Sequence, residues 1–191
     1  MKKEIPVSLL PEIRETEIPA VLEIHTPLFS DARGFFSESY NRDTWVAAGF
    51  RETFVQDNVS LSSRGVLRGL HYQLHPHGMG KLVRAITGAV YDVAVDLRRG
   101  SPTFGRWVAR TLEEGVPLWL WIPVGFAHGF VALRDNTRVY YKCTGVYHGE
   151  SERAIRHDDA DLNITWPVPV EIISEKDANA PPFKKSEHNF T

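Results

Sequence analysis

Lys81-Leu82-Val83-Arg84-Ala85-Ile86-Thr87-Gly88-Ala89-Val90-Tyr91-Asp92-Val93-Ala94-Val95-Asp96-Leu97 is the stretch that decides the fold. Aliphatic and β-branched residues crowd both halves, and Thr87-Gly88 divides them where a chain reversal needs a permissive backbone. The reading is two strands, Lys81–Ile86 and Ala89–Leu97, joined by a turn. Outward from this pair, the same pattern predicts strands over Val21–His25, Phe35–Tyr40, Thr53–Leu61, Arg106–Leu112, Leu118–Ile122 and Arg138–Thr144. Asp31-Ala32-Arg33-Gly34, Arg99-Gly100-Ser101-Pro102 and Pro123-Val124-Gly125 punctuate them. Short strands at such spacing predict an all-β sandwich or barrel. Helix is scarce: Asn41–Ala48 makes two turns at most, capped by Asn41 and ended by Gly49. The tail from Asp158 to Pro182 carries four prolines and predicts an irregular wrap with one short strand or helix.

Bulk properties narrow the function classes. A chain of 191 residues suits one domain, expected here over 1–191 with its core at about 20–180. Hydrophobic residues at 42% and charged residues at 24% are ordinary for a soluble globular protein. A formal charge of −2 offers no footprint for nucleic acid or an anionic membrane, so any anionic ligand needs a local Arg/Lys cluster. Gly115–Leu133 is uncharged over nineteen residues, near the length of a membrane span. Pro117, Pro123, Gly125 and Gly129 would break such a helix, so two buried strands around a turn are expected instead. Cys143 is the one cysteine, which excludes an intrachain disulfide and makes a thiolate metal site implausible. With no secretory leader read at the N-terminus, the expectation is a cytoplasmic protein.

Four clusters could carry chemistry. Gly65-Val66-Leu67-Arg68-Gly69-Leu70-His71-Tyr72-Gln73, with His75, His77 and Lys81 following, concentrates cationic and titratable groups. Strict strand alternation puts Arg68 and His71 on opposite faces, and a bulge at Gly69 would bring them to one side. In Trp119–Phe130 a single imidazole, His128, is embedded among aromatic and aliphatic residues; by itself it could be a core histidine bonded to backbone. Val139–Tyr147 points Tyr140 and Tyr141 to opposite faces, and a buried phenol can supply a proton in a dry site, though paired tyrosines also simply pack well in strands. Ser174-Glu175-Lys176-Asp177 alone reads as a charged turn.

The spacing Gly69-x5-His75-x-His77-x3-Lys81-x6-Gly88, then Pro123-x-Gly125-x2-His128, resembles that of metal-binding cupin barrels. Lys81 stands where the carboxylate ligand belongs, and an ammonium offers no lone pair and repels a cation. The resemblance therefore implies a cupin-like jelly-roll, or double-stranded β-barrel, with short peripheral helices and a metal-free site. In order along residues 20–180, Asp31–Glu38, Phe54–Asn58, Gly65–Gln73, Lys81–Arg84, Asp92–Arg98, Ser101–Gly105, Ile122–Phe130, Tyr141-Lys142 and Ile173–Asp177 resemble the dTDP-4-dehydrorhamnose 3,5-epimerase (RmlC-like) family.

The resemblance implies a reaction and a site. The substrate would be dTDP-4-dehydro-6-deoxy-D-glucose, epimerised at C3 and C5 through an enolate, with no cofactor. His71 would be the base, Asp177 would hold its imidazole, Lys81 would steady the enolate oxygen, and Tyr141 would return a proton from the other face. Arg33, Phe36, Glu38, Gln56, Asn58, Arg68, His128, Glu152 and Lys176 would line the pocket, and Tyr147 would stack near the thymine. The active unit would be a homodimer, the N-terminal strand with Arg33 and Glu38 completing the partner's site. Met79 stands where many relatives carry Gln, so substrate preference could differ. A close alternative is a 3-only epimerase with the same residues. More distant are a metal cupin enzyme using His75, His77 and His128, and a catalytically silent sugar-binding barrel.

Overall fold

The computed structural model describes residues 5–191, so the first four positions of the expected domain lie outside the described residues. Its strands are β1 (Glu12–Glu15), β2 (Leu22–His25), β3 (Phe29–Asp31), β4 (Gly34–Phe36), β5 (Gln56–Ser62), β6 (Leu67–Gln73) and β7 (Lys81–Thr87). They continue as β8 (Ala89–Asp96), β9 (Trp107–Glu113), β10 (Leu118–Ile122), β11 (Phe126–Ala132), β12 (Thr137–Cys143) and β13 (Glu152–Ala154). Two short helices flank them, α1 (Arg42–Ala47) and α2 (Glu175–Ala178). One antiparallel sheet runs β1-β2-β10-β7-β12-β5 and the other β13-β6-β11-β8-β9, while β3 and β4 form a separate hairpin. The fold is the all-β, cupin-like jelly roll with short peripheral helices.

Alternation along each strand builds three layers. Val83, Ala85, Leu120, Ile122 and Val139 of the first sheet meet Val90, Ala94, Val108, Phe126 and Phe130 of the second in one apolar interior. The odd-numbered side chains of β8, Val93 and Val95, point the other way and are covered by the C-terminal tail through Leu162, Phe183 and Phe190. Outside the first sheet, Trp119, Trp121 and Leu82 pack under Trp45 of α1 and Phe50. Burying a side chain of this kind is worth about 1.5–3 kcal/mol, so these layers fix the strand register.

Most expected elements are present, with shifted ends. The uncharged run Gly115–Leu133 forms β10 and β11 around Pro123-Val124-Gly125, every residue of both strands buried. Asn41 caps α1, its side chain accepting from the Asp43 amide, and Gly49 follows with φ +103. The strand expected over Phe35–Tyr40 stops at Phe36. There the Ser37 hydroxyl bonds the Pro27 carbonyl and Glu38 accepts from Thr44 and Asn41, which turns the chain into the helix. The strand expected from Thr53 begins at Gln56, because Phe54 packs into the outer aromatic layer. The short β1 and β13 were not expected; their polar, partly exposed sequences carry no apolar alternation. Among the described residues, no helix is long and apolar enough to cross a membrane.

Candidate active site

The barrel interior is not wholly apolar. Among the inward positions of β5, β6, β7, β8, β11 and β12, beside the apolar core residues, are Asn58, His71, Lys81, Asp92, His128 and Tyr141. The bulge expected at Gly69 is what places two of them. His71 pairs with His128 and Arg68 with Phe130, so Gly69 and Leu70 together oppose Gly129. The extra residue returns Arg68 and His71 to one face. Gly69 has φ +119, and a Cβ there would lie 2.6 Å from the Gly129 Cα. Only glycine fits.

Two cavities open here and share His71, Lys81 and Tyr141. The first, of about 430 Å³, is lined also by Arg68, His128, Lys176 and Asp177. The second, of about 420 Å³, is lined also by Gln56, Asn58, Met79, Tyr147 and Glu152. Of the residues implied by the resemblance, Arg33, Phe36 and Glu38 are the ones this chain does not bring to either cavity. Arg33 and Phe36 sit on the exposed β3–β4 hairpin, Arg33 paired with Asp31, and Glu38 lies in the turn before α1.

The side chains around the shared wall include groups able to take up or give protons. His71 Nε2–H donates to Asp177 Oδ1 at 2.6 Å, and Asp177 Oδ2 accepts from the Gly69 amide at 3.2 Å. Burial pushes the Asp177 carboxyl up, but the His71 bond and charge, with the Gly69 amide and Ser174, hold it below the usual carboxylate range. With Nε2–H engaged, a neutral His71 keeps a free lone pair at Nδ1. Tyr141 stands on the opposite sheet; burial raises its pKa, and Cys143 and Glu152 add to this against Arg68, so it remains a phenol at neutral pH. The Lys81 ammonium lies 6.0 Å from the Tyr141 ring centroid and has no protein acceptor among the described residues. Burial lowers its pKa, opposed by Cys143, Asp92 and Glu152.

The second cavity is walled by a polar network. The Tyr147 amide donates to Gln56 Oε1, Gln56 Nε2 donates to Asn58 Oδ1, and the Tyr147 hydroxyl donates to Glu152, which also pairs with Lys176. Tyr147 is 60% exposed, its ring free to take a planar group. Arg68 is held from behind by Ser62 Oγ and the Leu61 carbonyl.

Several details were not legible beforehand. Asp92, fully buried on β8, accepts from His128 Nε2 at 2.8 Å, so His128 is not a core histidine bonded to backbone. An aspartate at an inward position between Val90 and Ala94 was the available signal. Ser60 and Ser174 also line the first cavity. His75 and His77 line neither cavity: the His75 amide bonds Asn189, and His77 stacks on His148 at 3.7 Å. It is His71, and not the two histidines counted in the cupin spacing, that stands beside His128.

Known proteins share this architecture and sequence. The family model for dTDP-4-dehydrorhamnose 3,5-epimerase matches residues 15–185. The dTDP-4-dehydrorhamnose 3,5-epimerase of Shigella flexneri is 49% identical over 175 residues, covering 91% of this chain and 97% of that protein. The enzyme of the same name from Pseudomonas aeruginosa is 51% identical over 168 residues, covering 87% and 92%. The crystal structure of dTDP-6-deoxy-D-glucose-3,5-epimerase from Legionella pneumophila in complex with dTDP-4-keto-L-rhamnose superposes with a TM-score of 0.86 at 45% identity, covering 92% and 94%. Matched along nearly its whole length in sequence and in fold, the chain belongs to the dTDP-4-dehydrorhamnose 3,5-epimerase family.

Proposed function

We propose that the protein is an isomerase that converts dTDP-4-dehydro-6-deoxy-D-glucose into dTDP-4-dehydro-L-rhamnose by inverting C3 and C5. The observation that carries the reading is the placement of a carboxylate-backed imidazole and a phenol on opposite sheets, with an unpaired ammonium on the shared wall. A C–H beside the C4 ketone is acidic because its carbanion spreads onto oxygen as an enolate. His71 takes that proton at Nδ1, the Lys81 ammonium stabilises the C4 oxyanion, and Tyr141 gives a proton to the opposite face. General acid–base help is worth about 10²–10⁴-fold, and one oxyanion donor about 3–4 kcal/mol. Asp177 holds the ring in the required tautomer. No hydride moves, so the chemistry calls for no redox cofactor.

The sugar enters the first cavity, and the nucleotide lies toward Gln56, Asn58, Tyr147 and Glu152, with Arg68 and Lys176 as cations for the diphosphate. The whole chain acts as one domain, and the working unit is a homodimer. Its basis is the β3–β4 hairpin, where Phe29, Phe35 and Phe36 are exposed beside Arg33, outside the two cavities that share His71, Lys81 and Tyr141. The hairpin with Arg33 and Phe36, and Glu38 just after it, reach into the partner's site. The buried thiol of Cys143 accords with a reducing cytoplasm. Incubation with dTDP-4-dehydro-6-deoxy-D-glucose in deuterated water tests the reaction. Deuterium at both C3 and C5 is expected; deuterium at C3 alone would make the protein a 3-only epimerase, and none would refute the proposal.

A further inference from the structure

Asp92 places a carboxyl group in the least hospitable part of the barrel. It shares the inward face of β8 with Val90 and Ala94, which belong to the apolar interior, and its side chain is fully buried. Its Oδ1 accepts from His128 Nε2, while Oδ2 has no hydrogen-bond partner among the described residues. Packing alone would favour a valine, since an under-bonded buried carboxylate costs more than an apolar side chain of similar size. Asp177, by contrast, is bonded through both oxygens. The half-satisfied carboxylate therefore points to a task performed through its one partner.

That partner sits directly across the ladder from His71, on the wall of the first cavity. Burial lowers the pKa of His128; Asp92 opposes the shift, and the charges of Lys81 and His71 reinforce it. The ring is therefore neutral and has one N–H to give. The carboxylate accepts that N–H at Nε2. Nδ1 makes no hydrogen bond to the described residues and is left with its lone pair.

We propose that Asp92 is a positioning residue: it fixes His128 in the tautomer whose bare Nδ1 accepts a hydrogen bond from a hydroxyl of the bound hexose ring. The inference rests on the cavity being a ketosugar site, as read above. It gives the site a second imidazole–carboxylate pair with the opposite duty. His71 uses its lone pair to take a proton from carbon, and His128 uses its own to hold the ring so that the C–H faces His71. An acceptor suits this place, because a second cation beside Lys81 and a protonated His71 would repel both.

The test combines spectroscopy with one isosteric variant. In wild-type protein labelled with ¹⁵N-histidine, the His128 resonances should show the proton on Nε2 and none on Nδ1. A proton on Nδ1 would overturn the proposal, and this result stands even if the variant fails to fold. Asp92→Asn can offer an amide donor to Nε2 and so moves the proton to Nδ1. Its kcat/KM should fall roughly tenfold to a hundredfold, the size of one buried hydrogen bond lost. Affinity for dTDP, which lacks the hexose, should stay within about twofold. Unchanged kcat/KM, or a parallel loss of dTDP binding and turnover, would leave Asp92 a merely structural group and overturn the proposal. Failure of the wild-type enzyme to exchange deuterium would sink the functional reading instead, a result distinct from the tautomer.

Discussion

The Lys81 ammonium borders a cavity that resists charge: burial drives its pKa down, although Cys143, Asp92 and Glu152 pull it back. The role proposed for it needs the protonated form, so activity is expected below this pKa and lost as pH rises through it. The alkaline limb of kcat/KM is therefore expected below the value of about 10.4 for an exposed lysine, and Lys81→Arg should move that limb upward. An alkaline limb unchanged by Lys81→Arg would assign it to another group. Asp177 is displaced the other way in effect. Its folded carboxyl titrates below its unfolded value, so the stability it lends is present above the unfolded pKa and disappears as pH falls through the folded one. Urea midpoints measured from pH 7 downward should converge for wild type and Asp177→Asn at the acid end; a constant gap would contradict the shift. At this scale the sequence was only partly legible. His71, Lys81 and Tyr141 came from the family resemblance, whose residue types suit enolate chemistry, whereas the Asp92 partner of His128 depends on which face of β8 turns inward.

Among the elements, β6 carries the most chemistry for its length. Alternation alone would have set Arg68 and His71 apart, and the glycine between them gave the one hint of a bulge. Gly69→Ala is expected to be severe, because the new Cβ meets Gly129 and the His128 carbonyl at 2.6–2.7 Å and the backbone is left-handed. A loss of about 1–3 kcal/mol in denaturant unfolding, with loss of epimerisation, is the expected outcome; full activity would mean the bulge does not position His71. Asn41→Ala is the control. It removes the cap of α1, outside the barrel, and one hydrogen bond to Glu38, and should cost about 1 kcal/mol without abolishing epimerisation. Elements with a strong apolar pattern, such as β8, β9 and β10, were readable to within a residue or so. The turn into α1 was not, because the end of β4 is set by hydrogen bonds from Ser37 and Glu38 to residues elsewhere in the chain.

For the whole molecule, Arg33, Phe36 and Glu38 lie outside both cavities of this chain that contain His71. Arg33, Phe36 and Glu38 were legible as family positions, but no local pattern says which subunit they serve. If the hairpin completes a partner's cavity, light scattering should give a dimer mass. Inactive His71→Ala and Arg33→Ala proteins, mixed and allowed to exchange subunits, should regain about a quarter to a half of wild-type activity per site, since one kind of site regains both residues. A monomeric mass with full activity would contradict that arrangement. The barrel itself makes the deeper claim, that its two sheets present a base and an acid to opposite faces of one sugar ring. Following deuterium wash-in and product configuration together for wild type, His71→Ala and Tyr141→Phe tests it most directly. The account predicts that His71→Ala loses exchange at both carbons. Tyr141→Phe should still exchange deuterium but return the starting configuration, with inversion slowed about 10²–10⁴-fold. Undiminished exchange in His71→Ala, or inversion at the wild-type rate in Tyr141→Phe, would contradict it.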